Sequence, residues 1–150
     1  MRMKSAAAMI VLGGVWACAG GGSTPSTRVG ASPSPAPGVS VTVGQQFTLH
    51  AGETAAVGGA SARVTFASVA SDSRCPSGVQ CIQAGNAAVI LNVSTGGGAP
   101  RPVTLNTGTQ PHEVPLGSNV LRLVALAPQP PAGGTMEPSA YIATLCVCRQ

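Results

Sequence analysis

Charge is scarce in this chain. Asp, Glu, Lys and Arg together make up 8% of its 150 residues, against about 25% in an ordinary soluble domain. Helices cover their wet faces with Lys, Glu and Arg, so the shortage argues against a helical bundle or a coiled coil. No segment longer than about ten residues carries an apolar stripe of helical period. Without a helix there is no strand–loop–helix phosphate cradle, and the arginines are scattered rather than clustered, which makes nucleic acid a poor partner. Aromatics are reduced to Trp16, Phe47, Phe66 and Tyr141. Catalytic groups are equally thin, with Glu53, Asp72, Glu113 and Glu137 as the only acids and His50 and His112 as the only histidines. His112 beside Glu113 reads as a solvated surface pair and His50 as a strand end, so neither a nucleophile–base set nor paired acids emerge. The sequence therefore predicts a protein that is not an enzyme.

What takes the place of charge is glycine and proline, 20 and 13 residues, with Ser, Thr, Asn and Gln supplying the remaining polarity. They are unevenly spread. Arg2 and Lys4 precede a mostly apolar run over residues 6–17, too short to span a bilayer and patterned like an export signal. Residues 18–38 are almost entirely Gly, Ser, Thr, Pro and Ala. Such a stretch cannot bury enough surface to offset its ordering entropy and reads as a flexible tether. Residues 39–150 remain for one folded domain with a single modest core.

The end of the signal is its most specific part. Val15-Trp16-Ala17-Cys18 resembles the bacterial lipobox, with an aliphatic residue three positions before the cysteine and a small residue directly before it. Trp16 departs from the usual small or hydroxyl residue at a permissive position. The resemblance implies cleavage after residue 17, lipid (thioether-linked diacylglyceryl and an amide-linked chain such as palmitate) on Cys18, and a membrane as partner. Several chains anchor far more firmly than one. Ala19 after the cysteine implies delivery to the outer membrane where the cell has one. Once the signal is removed, Arg28, Arg63, Arg74, Arg101, Arg122 and Arg149 face four acids, a net of +2 rather than the +4 of the whole chain.

From Val39 onward, short alternating segments are separated by Gly, Pro and Asn. Strands are expected at residues 41–43, 46–50, 62–69, 87–93, 102–106, 119–126 and 140–148, on period-two patterning and β-branched enrichment. Residues 119–126 alternate less and suggest a strand buried on both faces. The glycines at 96–98 suit a hairpin loop. About seven strands with frequent turn signals predict an all-β fold, an antiparallel β-sandwich, with a small β-barrel as the alternative.

The densest chemistry lies between Asp72 and Gly85, reading Asp-Ser-Arg-Cys-Pro-Ser-Gly-Val-Gln-Cys-Ile-Gln-Ala-Gly. Asp72 is placed to accept a hydrogen bond from the Arg74 backbone in an Asx turn. Arg74 can pair with Asp72 or extend outward. Cys75 and Cys81 bracket a tight turn containing Pro76, closable by a disulfide in an exported protein. Cys146 and Cys148 lie two apart on the last strand, so both point to one face while Tyr141, Ala143, Leu145 and Val147 take the other. With Cys18 lipidated, four cysteines allow three pairings. Cys75 with Cys81 is the easiest; Cys146 with Cys148 asks the strand to contract, because i and i+2 lie about 6.5 Å apart in a strand; cross-pairing would tie the loop to the last strand. Free thiols would leave a second reading, in which Cys75, Cys81, Cys146 and Cys148 hold Zn or Cu with His50, His112 or Met136 as substitutes. An oxidising compartment favours disulfides over that site.

The run from Val64 and Phe66 through Asp72-Ser-Arg-Cys-Pro76 and Cys81 to Ala84-Gly85, Ala87, Val89 and Leu91 resembles a group of small bacterial lipoproteins and exported domains. The similarity spans roughly residues 45–145, with Gln83 standing where that group is expected to carry Trp. It implies a common fold and a common loop, and no particular reaction. The expected function is that of a membrane-anchored exported lipoprotein acting as a non-catalytic binding or envelope structural module, with Asp72, Arg74 and Pro76 as recognition-loop candidates. A third possibility is a loop that presents Arg74 as some protease inhibitors present a basic residue.

Overall fold

The computed structural model describes residues 38–150; the signal, the lipobox and all but the last residue of the tether lie outside them. Nine strands are present among the described residues: β1 (Val39–Thr42), β2 (Gln46–His50), β3 (Thr54–Gly58), β4 (Ala62–Asp72), β5 (Ala87–Thr95), β6 (Arg101–Asn106), β7 (Glu113–Leu116), β8 (Asn119–Ala127) and β9 (Ile142–Arg149). Their one helical element is a single 3-10 turn, Pro138–Ala140. The strands form two sheets, a five-stranded one ordered β1-β3-β4-β5-β6 and a four-stranded one ordered β2-β9-β8-β7. Neither closes on itself, so the molecule is the expected sandwich and not the alternative barrel.

The core sits between the sheets and arises from alternation. Leu49 on β2, Val64 and Phe66 on β4, Val89 and Leu91 on β5, Leu105 on β6, Leu121 on β8 and Leu145 and Val147 on β9 are fully buried. Phe47 and Tyr141 join them, so every aromatic side chain of the domain lies in the core. Successive strand residues point to opposite faces, and two such inner faces interdigitate when the sheets stack about 10 Å apart.

Four expectations need correction. Strands β3 and β7 lie where the residue pattern predicts none, which raises the number from about seven to nine. The first strand runs Val39–Thr42 instead of residues 41–43. It pairs parallel to β3, whereas every other pairing is antiparallel. Finally, β8 is not buried on both faces throughout. A bulge between Leu123 and Ala125 shifts its alternation by one residue, so Leu126 turns inward opposite Ala143 while Arg122 and Val124 stay exposed. Bulges of this kind insert an unpaired residue and re-aim the side chains beyond it.

Both prolines that sit inside strands occupy edges. Pro102 lies on β6 and Pro115 on β7, the terminal strands of their sheets. An edge strand has one side without a ladder partner, so the missing N–H leaves no acceptor unserved.

Candidate functional site: a clasp at the base of a disulfide loop

Strands β4 and β5 pair up to Asp72 and Ala87, and residues 73–86 project as the loop between them. Two devices hold its base. Ser73 donates from its backbone N–H to the Asn86 carbonyl at 2.7 Å, and its hydroxyl both donates to that carbonyl and accepts from the Asn86 N–H, at 3.0 and 3.1 Å. The Asn86 side chain then ties the loop to the next strand connection, donating to Asn106 Oδ1 at 2.9 Å and accepting from the Gly108 N–H at 2.8 Å. Gly85 is required by contact rather than by conformation. A Cβ there would stand 1.7 Å from the Ser73 carbonyl oxygen, where no side chain fits.

The second device is built on Asp72. Its Oδ1 accepts from the Arg74 backbone N–H at 3.0 Å, the expected Asx turn, and from Arg74 Nε at 2.9 Å. Its Oδ2 accepts from Arg74 Nη2 at 2.6 Å and from the Tyr141 hydroxyl at 3.2 Å. The guanidinium continues onward, Nη1 donating to the Leu126 carbonyl and Nη2 to the Pro128 carbonyl, the latter at 2.8 Å. Leu126 lies at the end of β8, and Tyr141 leads into β9. The cluster therefore joins the end of a strand in one sheet to the ends of two strands in the other. A planar guanidinium offers five donors in a fixed fork, which lets one side chain serve a carboxylate and two carbonyls together.

The clasp is nearly dry, with the Arg74 and Asp72 side chains 12% and 7% exposed. Burial pushes the Asp72 carboxyl up, but the hydrogen bonds and charge of Arg74, aided by Tyr141, outweigh it and hold the group below its ordinary value of 3.8. Tyr141 is pushed above its ordinary value of 10.0, by burial first and then by the negative charge of Asp72. This geometry corrects the reading in which Arg74 is presented outward. An inhibitor-like loop needs an exposed basic residue, and this one is turned inward onto backbone carbonyls.

Beyond the clasp, Cys75 and Cys81 are joined by a disulfide. The loop also leans on the segment after β8, with the Ser77 N–H donating to the Pro130 carbonyl at 3.0 Å. Pro76 opens the enclosed turn and is half-buried. The tip is apolar and open: Ile82 is fully exposed and Val79 about half exposed, two of the four large hydrophobic side chains on the described surface.

The other two cysteines, Cys146 and Cys148, are also bonded to each other, with Cα atoms 5.5 Å apart. They share the outer face of the second sheet, while Tyr141, Ala143, Leu145 and Val147 are buried on the inner one, as alternation required. The four sulfurs of the Zn or Cu reading are paired here in two separate disulfides, Cys75–Cys81 and Cys146–Cys148. Among the described residues no three of His, Cys, Asp and Glu cluster as metal ligands. Of the substitutes, Met136 packs against the hydrophobic core, His50 is an exposed strand end, and His112 Nδ1 lies 2.8 Å from the Asn106 carbonyl.

Sequence reasoning finds Asp72, Arg74 and the cysteines. It misses Tyr141 as a partner of Asp72, the carbonyls of Leu126 and Pro128, and the bracing role of Asn86. The spacing of 69 residues between Asp72 and Tyr141 carries no local signal, and a carbonyl acceptor carries none at all. Searches found no protein-family model, no curated protein and no solved structure that matches the chain.

Proposed function

We propose that this chain is an exported lipoprotein, lipidated at Cys18 and held off the membrane by residues 19–38, whose sandwich domain acts by binding rather than by catalysis. The 72–85 loop is its contact element. The observation that carries the reading is the contrast within that loop. Its base is locked by Asp72, Arg74 and Tyr141 and its middle by a disulfide, yet its tip leaves Ile82 and Val79 in water. Exposing apolar side chains costs solvation free energy, and pre-ordering the loop removes the entropy that a partner would otherwise lose on docking. A rigid loop with an apolar tip suits a protein or envelope partner with a hydrophobic pocket.

Two measurements test this. A photo-crosslinking residue at position 82 in the full-length protein, expressed in intact cells, should give one discrete adduct. Ile82→Asp, with a crosslinker at the neighbouring position 83, should abolish that adduct while the melting temperature stays unchanged. Absence of any adduct at position 82, with adducts from other faces, would remove the loop from the contact. Intact mass of the membrane-extracted protein should show the lipid on residue 18, and Cys18→Ala should release the chain from the membrane fraction.

A further inference from the structure

We propose that Cys146–Cys148 is a redox-active disulfide, exchanging with thiols on the outer face of the second sheet. This goes beyond the binding role and uses a different element.

The fold does not need this bond. Its ring encloses Val147 alone, and β9 is already held on both sides. Gln46 and Arg122 pair with Cys146, Val120 pairs with Cys148, and Gly44 donates to the Val147 carbonyl at 2.8 Å. None of those contacts passes through the sulfurs, so β9 keeps its ladder partners when the disulfide opens. A reversible redox centre requires that property. Cys75–Cys81 differs, because it closes a loop with no strand ladder to hold it.

The surroundings suit exchange. His112, Glu113, Arg122 and the two cysteines are among the residues lining an open groove of about 580 Å³, large enough for a peptide thiol. Cys146 is 4% exposed and Cys148 is more accessible, so an incoming sulfur meets Cys148. Directly opposite Cys146 across the ladder stands Arg122, and cross-strand neighbours have Cβ atoms about 5 Å apart. Its Nε donates to Glu113 at 2.7 Å in an ion pair that offsets part of its charge, and its two Nη groups remain as the donors that favour a thiolate at Cys146. His112 lines the same groove, and because the Asn106 carbonyl 2.8 Å from its Nδ1 can only accept, Nδ1 carries a hydrogen.

The reaction is a dithiol–disulfide exchange. A thiolate of a dithiol attacks Cys148 Sγ, the Cys146–Cys148 bond breaks, and Cys146 leaves as the thiolate. The second thiol of the dithiol, losing its proton, then attacks its own sulfur in the mixed disulfide and expels the Cys148 thiolate. The dithiol is oxidised by two electrons, Cys146 and Cys148 are reduced by two, and the two protons released by the dithiol reprotonate them.

The test uses the full-length oxidised protein in graded dithiothreitol, with alkylation, peptide mass mapping and circular dichroism on the same samples. Cys146–Cys148 should open at lower reductant than Cys75–Cys81, with the β-sheet spectrum unchanged. Arg122→Gln should slow opening roughly threefold, as expected when a leaving thiol loses a nearby cation. That variant should melt where the parent does, because an ion pair this exposed adds little stability. Cys146→Ser should accumulate a mixed disulfide at Cys148 with oxidised glutathione, which the parent resolves. The proposal fails if the two disulfides open together, if opening occurs only with loss of sheet structure, or if Arg122→Gln leaves the rate unchanged.

Discussion

At Asp72, three kinds of partner converge on one carboxylate: a turn N–H, a guanidinium and a phenol. Removing the guanidinium leaves a nearly buried anion unpaired, and breaking a buried pair from one side costs about 3 kcal/mol. Arg74→Ala should therefore lower stability by that amount in urea denaturation. Arg74→Lys should recover only part of it, since an ammonium cannot span the carboxylate and two carbonyls. The shifted acidities set the pH dependence. Asp72 is more acidic folded than unfolded, so its share of stability is complete above about pH 3.8 and is lost as pH falls through its lower folded value. Tyr141 is held protonated, so its share is complete below pH 10.0 and is lost as pH rises through its raised folded value. Melting curves across pH should show both limbs, and Tyr141→Phe should flatten the alkaline one while keeping most of the acid one.

The 73–86 loop shows how an element without regular structure becomes rigid. Gly85→Ala should be among the most damaging small substitutions in the chain, because a Cβ 1.7 Å from the Ser73 carbonyl forces the two loop stems apart. Overpacking of that kind costs about 1–3 kcal/mol, and amide exchange at Ser73 and Asn86 should report the parted stems. The Cys75–Cys81 bond closes a loop of six-residue separation, for which chain entropy predicts about 2 kcal/mol. Cys75→Ser with Cys81→Ser should cost about that much, and Cys146→Ser with Cys148→Ser less, since the ring there is shorter. Paired denaturation of the two double variants checks the order. Local composition also explains the two strands that the residue pattern hides. β3 reads Thr-Ala-Ala-Val-Gly, in which only Ala55 and Val57 face inward and neither alanine nor glycine favours a strand. β7 contains Pro115, which argues against a strand until its edge position is known.

For the molecule as a whole, the clasp is a bond between sheets. Sandwich sheets are otherwise joined by core packing and chain connections, and this core is built mainly of Leu, Val and Ala. Arg74 adds a polar tie from the end of β4 to the end of β8, at the margin of the apolar core. It also gives the loop a fixed direction relative to both sheets. A partner that docks on Ile82 thus meets a surface already ordered, so Arg74→Ala should weaken capture through Ile82 even where the protein remains folded. Titration of the crosslinked partner against the two variants, Arg74→Ala and Ile82→Asp, separates lost order from lost contact.

Much of this architecture is legible in the order of residues. Low charge and period-two alternation specify an all-β chain, and the alternation in β2, β4, β5 and β9 names most of the core, because the side-chain period of a strand is a local property. The Asx turn and the shared face of Cys146 and Cys148 come from the same short-range geometry. Pairing does not. The parallel partnership of β1 with β3, the bulge that turns Leu126 inward, the choice of disulfide partners and the meeting of Arg74 with Leu126, Pro128 and Tyr141 depend on which segments become neighbours once two apolar faces are buried against each other. Those contacts of the clasp join residues more than fifty positions apart, and the inward turn of Arg74 exists because the second sheet brings carbonyl oxygens and a phenol to where the loop begins.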